Sequence, residues 1–188
     1  LAGVMGGAGS AVGDDTTDIL LESAFFVPSV IVGKSRRLGF SSDSAYRFER
    51  GVDFMSTQAA LDRATQLILD ICGGQAGAPA EVLGQLPARK PVRLRVARVQ
   101  RVLGVALEAG EIAQILSRLG MQAQQSGDEF SVTPPSYRFD IAIEEDLIEE
   151  VARVHGYEQI PPLPPQATMS ILPQIEAQRP LSQLRQAL

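Results

Sequence analysis

The 188-residue chain has one cysteine, one histidine and no tryptophan, and aromatic residues make up 5% of it. The lone thiol, Cys72, excludes an internal disulfide, which suits a reducing compartment. With only His155 beside it, no Cys/His zinc site can be assembled. No run of about 18 apolar residues occurs, so a membrane-spanning helix is excluded. The chain opens on Leu1-Ala2-Gly3-Val4-Met5-Gly6-Gly7 without a basic and then apolar leader, and the expectation is a piece cut from a longer cytoplasmic protein.

What remains is 45% hydrophobic and 21% charged, enough to build one medium domain or two small ones. The net charge of −5 argues against a protein that coats nucleic acid non-specifically. The charges are nevertheless segregated. Between Leu83 and Leu107 there is no Asp or Glu, while Arg89, Lys90, Arg93, Arg95, Arg98 and Arg101 fall in that window. Between Asp140 and Glu150 the reverse holds: Asp140, Glu144, Glu145, Asp146, Glu149 and Glu150 occur without Lys or Arg. Taken alone, a basic block of this kind reads either as a solvated face or as a nucleic-acid contact.

The periodicity predicts an α+β chain. Short apolar runs at 1–5 and 19–23 read as strands, Pro28 opens a helix running to about Leu38, and a longer helix runs from Asp53 or Ser56 to Cys72. On that helix Met55, Ala60, Ala64, Leu67, Ile68 and Ile71 recur at helical spacing, which places Cys72 in a buried face. A Gly/Ala/Pro-rich stretch over 73–91 marks a domain boundary. Beyond it Val92, Leu94 and Val96 alternate with Arg93 and Arg95 as a half-buried strand. Helices over about 97–103 and 109–119 follow, then a hairpin around Ser126-Gly127-Asp128 and a helix over about 144–155 closed by Gly156. That order resembles a small winged helix-turn-helix unit. Pro161, Pro162, Pro164 and Pro165 make a stiff linker, and 171–188 begins a further element.

Two motifs fail. Gly33-Lys34-Ser35 lacks the upstream glycine of a phosphate loop, because that position is Pro28. The glycines at 3, 6, 7, 9 and 13 follow a strand but open no helix, which weakens a dinucleotide fingerprint; they suit a tight turn whose bare backbone admits another group. His155 belongs to no catalytic constellation and sits where a helix C-terminus favours positive charge. The acidic block carries the best chemical signal. On a helix, Asp146 lies three and four residues from Glu149 and Glu150, on the side opposite Ile143, Leu147 and Val151, and Asp140 enters from just upstream. A hard divalent cation such as Mg2+ would offset the cost of gathering those charges; first-turn acids favoured by the helix dipole are the alternative.

The run Val132-Thr133-Pro134-Pro135-Ser136-Tyr137-Arg138-Phe139-Asp140, the acidic helix, and His155-Gly156-Tyr157 closely resemble the β-subunit family of bacterial phenylalanyl-tRNA synthetases. So do Gly3-Val4-Met5-Gly6-Gly7, Leu20-Leu21-Glu22-Ser23-Ala24-Phe25-Phe26 and Arg47-Phe48-Glu49-Arg50-Gly51-Val52-Asp53, in order along the chain. The resemblance implies the C-terminal half of an editing (B3/B4) domain over 1–86. It implies a small winged-helix-like (B5) domain over 87–160, then a linker and the start of a catalytic-like core over 161–188. It implies tRNA(Phe) binding, assembly with an α subunit into a heterotetramer of two α and two β chains, and editing of tyrosine mischarged onto tRNA(Phe). Aminoacylation with ATP would lie on the α subunit. Asp140, Asp146, Glu149 and Glu150 take the places of the family's Mg2+ ligands. Gly6, Glu22, Ser42 and Ser44 take places in its editing pocket. Glu22 matches the family's acidic residue that recognises the tyrosine hydroxyl, Ser42 stands where the family has a threonine, and Ser44 departs from an alanine. The family's pocket histidine has no counterpart in the chain. Arg93, Arg95, Arg98 and Arg101 are the candidate nucleic-acid contacts. The competing reading is a non-catalytic module that binds nucleic acid through the winged unit or a partner subunit through the acidic helix.

Overall fold

The computed structural model describes residues 2–162, 164 and 180–188. Part of the proline-rich linker and most of the expected C-terminal element therefore lie outside the described residues.

The better-packed region begins with strand β1 (Val92–Arg95), whose alternation buries Val92 and Leu94 and turns Arg93 and Arg95 outward. Helix α5 (Val96–Leu103) follows at once and ends at Gly104, whose φ of 69° is the left-handed conformation a helix terminus requires. Helix α6 (Ala109–Arg118), strands β2 (Gln122–Ser126) and β3 (Glu129–Thr133), and helix α7 (Glu144–His155) complete the unit. The hairpin turns through Gly127, also at positive φ. The sheet is antiparallel in the order β1-β3-β2, with Val92 opposite Val132 and Gln122 opposite Thr133. Its inner face meets the three helices over Leu94, Val99, Leu107, Ile112, Leu116, Phe130, Val132, Leu147 and Val151, all almost completely buried. The strand, two-helix, hairpin and helix order matches the sequence expectation.

The region before residue 73 departs from it in several places. Residues 2–4 form a turn and 19–23 lie in no ladder, so neither expected strand forms among the described residues. An extended apolar segment becomes a strand only when a neighbour takes its N–H and C=O groups, and no described residue does so. The helix expected over 28–38 is divided into α1 (Pro28–Ile31) and α2 (Lys34–Leu38), because Gly33 takes φ 77° between them. Helix α3 (Asp43–Arg50), which the sequence reading missed, is capped by the Ser42 hydroxyl accepting from the Ala45 N–H at 3.1 Å. Val4, Ile31 and Ala45 form a small core with Phe26, Phe40 and Phe48 around it. The long helix α4 (Thr57–Cys72) forms as expected, but none of its residues is buried. Its half-covered stripe runs through Thr57, Leu61, Ala64 and Ile68, while Leu67 and Ile71 face outward. Cys72 is exposed, not a buried filler, because no described element packs over the end of this helix. Residues 73–91 carry no helix or strand. Short helix α8 (Leu181–Ala187) is solvent-exposed.

Candidate functional site

Every residue from Ser136 to Asp140, in the loop that joins β3 to α7, has an assigned contact. The Ser136 carbonyl accepts from the Arg89 guanidinium. Tyr137 donates its hydroxyl to the Leu119 carbonyl at 3.1 Å, and a side chain at Gly120 would strike that hydroxyl at 2.7 Å. Phe139 lies against Gly51, where a Cβ would meet its ring at 2.6 Å and φ is 119°. Gly51 therefore has to remain glycine for the two regions of the chain to touch here. Arg89 adds to this seam by lying 5.9 Å from the Phe54 ring centre.

Arg138 organises the acidic residues. Its Nε and Nη2 donate to the two oxygens of Asp140 at 2.9 and 2.7 Å, and its Nη1 donates to Glu150 at 2.7 Å. Glu150, 7% exposed, is the one buried charged side chain among the described residues, and it also accepts from Arg153 at 2.6 Å. The guanidinium of Arg138, followed by that of Arg153, holds the Glu150 carboxyl down at about 2. Hydrogen bonding to Arg138 likewise lowers Asp140, and those two carboxylates raise Arg138 in turn. Asp146 serves a different end: one of its oxygens accepts the N–H groups of Ala142 and Ile143 at 2.8 and 2.9 Å, capping α7. Glu149 points to solvent.

The expectation that Asp140, Asp146, Glu149 and Glu150 form one Mg2+ site does not fit this arrangement. Among the described residues no three Asp, Glu, His or Cys side chains are grouped to hold a metal ion. The space between Asp140 and Glu150 is taken by a guanidinium, and Asp146 is turned to the backbone. Asp146, Glu149 and Glu150 do lie along α7. The missed residue was Arg138, two positions before Asp140 within the same motif.

The basic and acidic blocks, far apart in sequence, meet in space. Glu144 bonds the Arg95 side chain at 2.6 Å and its backbone N–H at 2.8 Å, and lies 3.2 Å from the Arg98 Nε. Arg98 also bonds Glu145, and Arg93 bonds Glu129 across the β1–β3 ladder. The arginine in each pair holds its carboxylate below the ordinary range. Of the four arginines expected to contact nucleic acid, Arg93, Arg95 and Arg98 are thus engaged within the chain. Arg101 is exposed without an ion-pair partner among the described residues. It lines an open hollow of about 210 Å³ with Arg95, Ala97 and Arg98. His155 bonds Glu111 of α6 through Nδ1 at 3.2 Å, tying the end of α7 to its neighbour.

The expected editing residues are less gathered. Ser42 donates its hydroxyl to the Val4 carbonyl while capping α3, so it fastens the loop that carries Gly6 to that helix. Nothing lies within 4 Å of a Cβ built on Gly6, which leaves its backbone open to approach. Glu22 and Ser44 are exposed. A wider surface hollow of about 500 Å³ lies nearby in sequence but is lined by Gly33, Ser35, Arg36, Gly39, Phe40, Ser41 and Glu49, none of them an expected pocket residue.

Residues 1–73 match the B3/4 domain family and residues 92–157 match the tRNA synthetase B5 domain family. The chain is 57% identical over all 188 residues to the phenylalanine–tRNA ligase β subunit of Nitrosospira multiformis, covering 24% of that protein. It is 57% identical over 179 residues, 95% of the chain, to that of Bordetella pertussis, covering 22% of it. The corresponding subunit of Thiobacillus denitrificans is 53% identical over 188 residues. The chain belongs to the phenylalanine–tRNA ligase β-subunit family. It spans about a quarter of the length of the curated relatives it matches. Among the described residues, no helix is long and apolar enough to cross a membrane.

Proposed function

We propose that the chain acts as part of a phenylalanine–tRNA ligase, in a β subunit that binds tRNA(Phe), assembles with an α subunit into a heterotetramer and clears mischarged tyrosyl-tRNA(Phe). The observation that carries this reading is the similarity of the whole chain to such subunits, with B3/4 and B5 families matched in that order. Aminoacylation, with its ATP and Mg2+, falls to the α subunit in this reading, and the enzyme works in the cytoplasm.

Editing is assigned to the region around Gly6, Glu22, Ser42 and Ser44. A carboxylate placed to bond a para-hydroxyl is left without that partner when phenylalanine enters, so it discriminates by a polar contact instead of by size. Gly6 supplies the close backbone approach. The test is deacylation by a β subunit carrying this chain, purified with its α subunit. Tyrosyl-tRNA(Phe) is expected to be hydrolysed and phenylalanyl-tRNA(Phe) spared, with that preference lost on Glu22→Ala. Equal clearance of both substrates before substitution would remove the pocket assignment.

For tRNA contact, Arg101 is the residue of choice among the four arginines, since it is the one without a carboxylate partner among the described residues. Charge reversal there lowers tRNA affinity and flattens its salt dependence.

A further inference from the structure

We propose that Arg138 is the resident cation of the acidic cluster, and that a divalent ion reaches Asp140 and Glu150 only by displacing its guanidinium. Both carboxylates are bonded by guanidinium groups, Glu150 in a largely buried position and Asp140 with its side chain 53% exposed. Both oxygens of Asp140 accept from Arg138, one Glu150 oxygen accepts from Arg138 and Arg153 together, and the other accepts from Arg153 at 3.3 Å. The planar fork of a guanidinium suits this double duty, joining the loop to α7 as a metal ion would join two ligands. The side chains of Arg138 and Glu150 are 21% and 9% exposed, so solvent screens them weakly. A second positive ion brought between the same oxygens would face Arg138 at contact distance while taking away its partners.

The cluster is therefore held together without metal, and Mg2+ binding at Asp140 and Glu150 costs the protein its own ion pairs. This does not depend on the editing assignment. Loss of editing would leave it standing, and failure of the test below would leave editing standing.

The experiment compares thermal unfolding of the chain with and without millimolar MgCl2 at constant ionic strength, in the wild type, Arg138→Met and Arg138→Lys. The wild type is expected to melt at one temperature whatever the Mg2+ concentration. Arg138→Met should melt lower without Mg2+ and recover on its addition, with an affinity for Mg2+ at least about tenfold above wild type. Arg138→Lys, which keeps one point charge but not the fork, should fall between them. Should Arg138→Met fail to fold in either condition, Mn2+ relaxation of water protons on the wild type decides the matter. Weak binding that Asp140→Asn and Glu150→Gln leave unchanged upholds the proposal. Tight binding by the wild type that either substitution abolishes overturns it, as does Mg2+ stabilisation of wild type and Arg138→Met to the same degree.

Discussion

The two halves of the chain solve the same packing problem with unequal means. Residues 92–157 close a three-stranded sheet under three helices, and nine large side chains there are almost wholly buried. Residues 2–73 bury Val4, Ile31 and Ala45 against a few aromatic rings and leave a 16-residue helix with no buried residue. In the first case each apolar face finds its partner inside the chain. In the second, α4 and the segment with Ile19, Leu20 and Val27 offer apolar surface that no described residue covers.

The largest effect should separate the halves directly. Phe130→Ala is expected to cost about 3–5 kcal/mol in the 92–157 unit, because the cavity opens beneath both sheet and helices. Leu67→Ala in α4 should change stability by less than about 0.5 kcal/mol. Amide hydrogen exchange in β3 and α4 reports each half separately, and equal losses would erase the distinction. A smaller effect is expected where the halves meet. Gly51→Ala introduces a side chain at positive φ against the Phe139 ring, with an expected cost of about 1–3 kcal/mol. Its signature is altered chemical shifts in the Phe139 ring, and an unchanged ring would show that the seam is not held this way.

Acidification sharpens the contrast more gradually. Unfolded Glu residues take up protons near the ordinary 4.5, whereas Glu150 in the folded chain does so only at about 2. Asp140, Glu144, Glu145 and Glu129 are shifted in the same downward direction by their arginine partners. The unfolded state thus binds more protons between these values, so the stabilisation is complete above about 4.5 and is lost as pH falls toward about 2. Circular dichroism melts across that window should show the midpoint of the 92–157 unit falling with pH. A flat profile would mean that the ion pairs contribute nothing there.

How far the sequence could be read follows the same division. Val92-Arg93-Leu94-Arg95 alternates because one side of β1 is covered, and the hairpin residues announce their turn, so local pattern was enough for 92–157. Ser23 and Ile19 carry strand character without a ladder, and Gly33 breaks a helix that periodicity alone would continue, so patterns misled where a partner or a single dihedral decided the outcome. In the acidic cluster, spacing placed Asp146, Glu149 and Glu150 correctly along α7 but not their partners. Arg138 stands two residues from Asp140 but also pairs with Glu150 twelve residues on, and Glu144 meets Arg95 across 49, and one sequence holds no periodicity that reports such pairings. The opposite charges of the two blocks were the available signal, read separately as two faces when they form one seam.

That seam is the central claim, and a double-mutant cycle on Arg95 and Glu144 tests it most directly. With Arg95→Ala, Glu144→Ala and the double variant compared by urea unfolding, the losses of the two single variants should sum to more than the loss of the double variant, which is a favourable coupling between the pair. A coupling indistinguishable from zero would contradict it: the basic strand and the acidic helix would then be neighbours that do not hold one another.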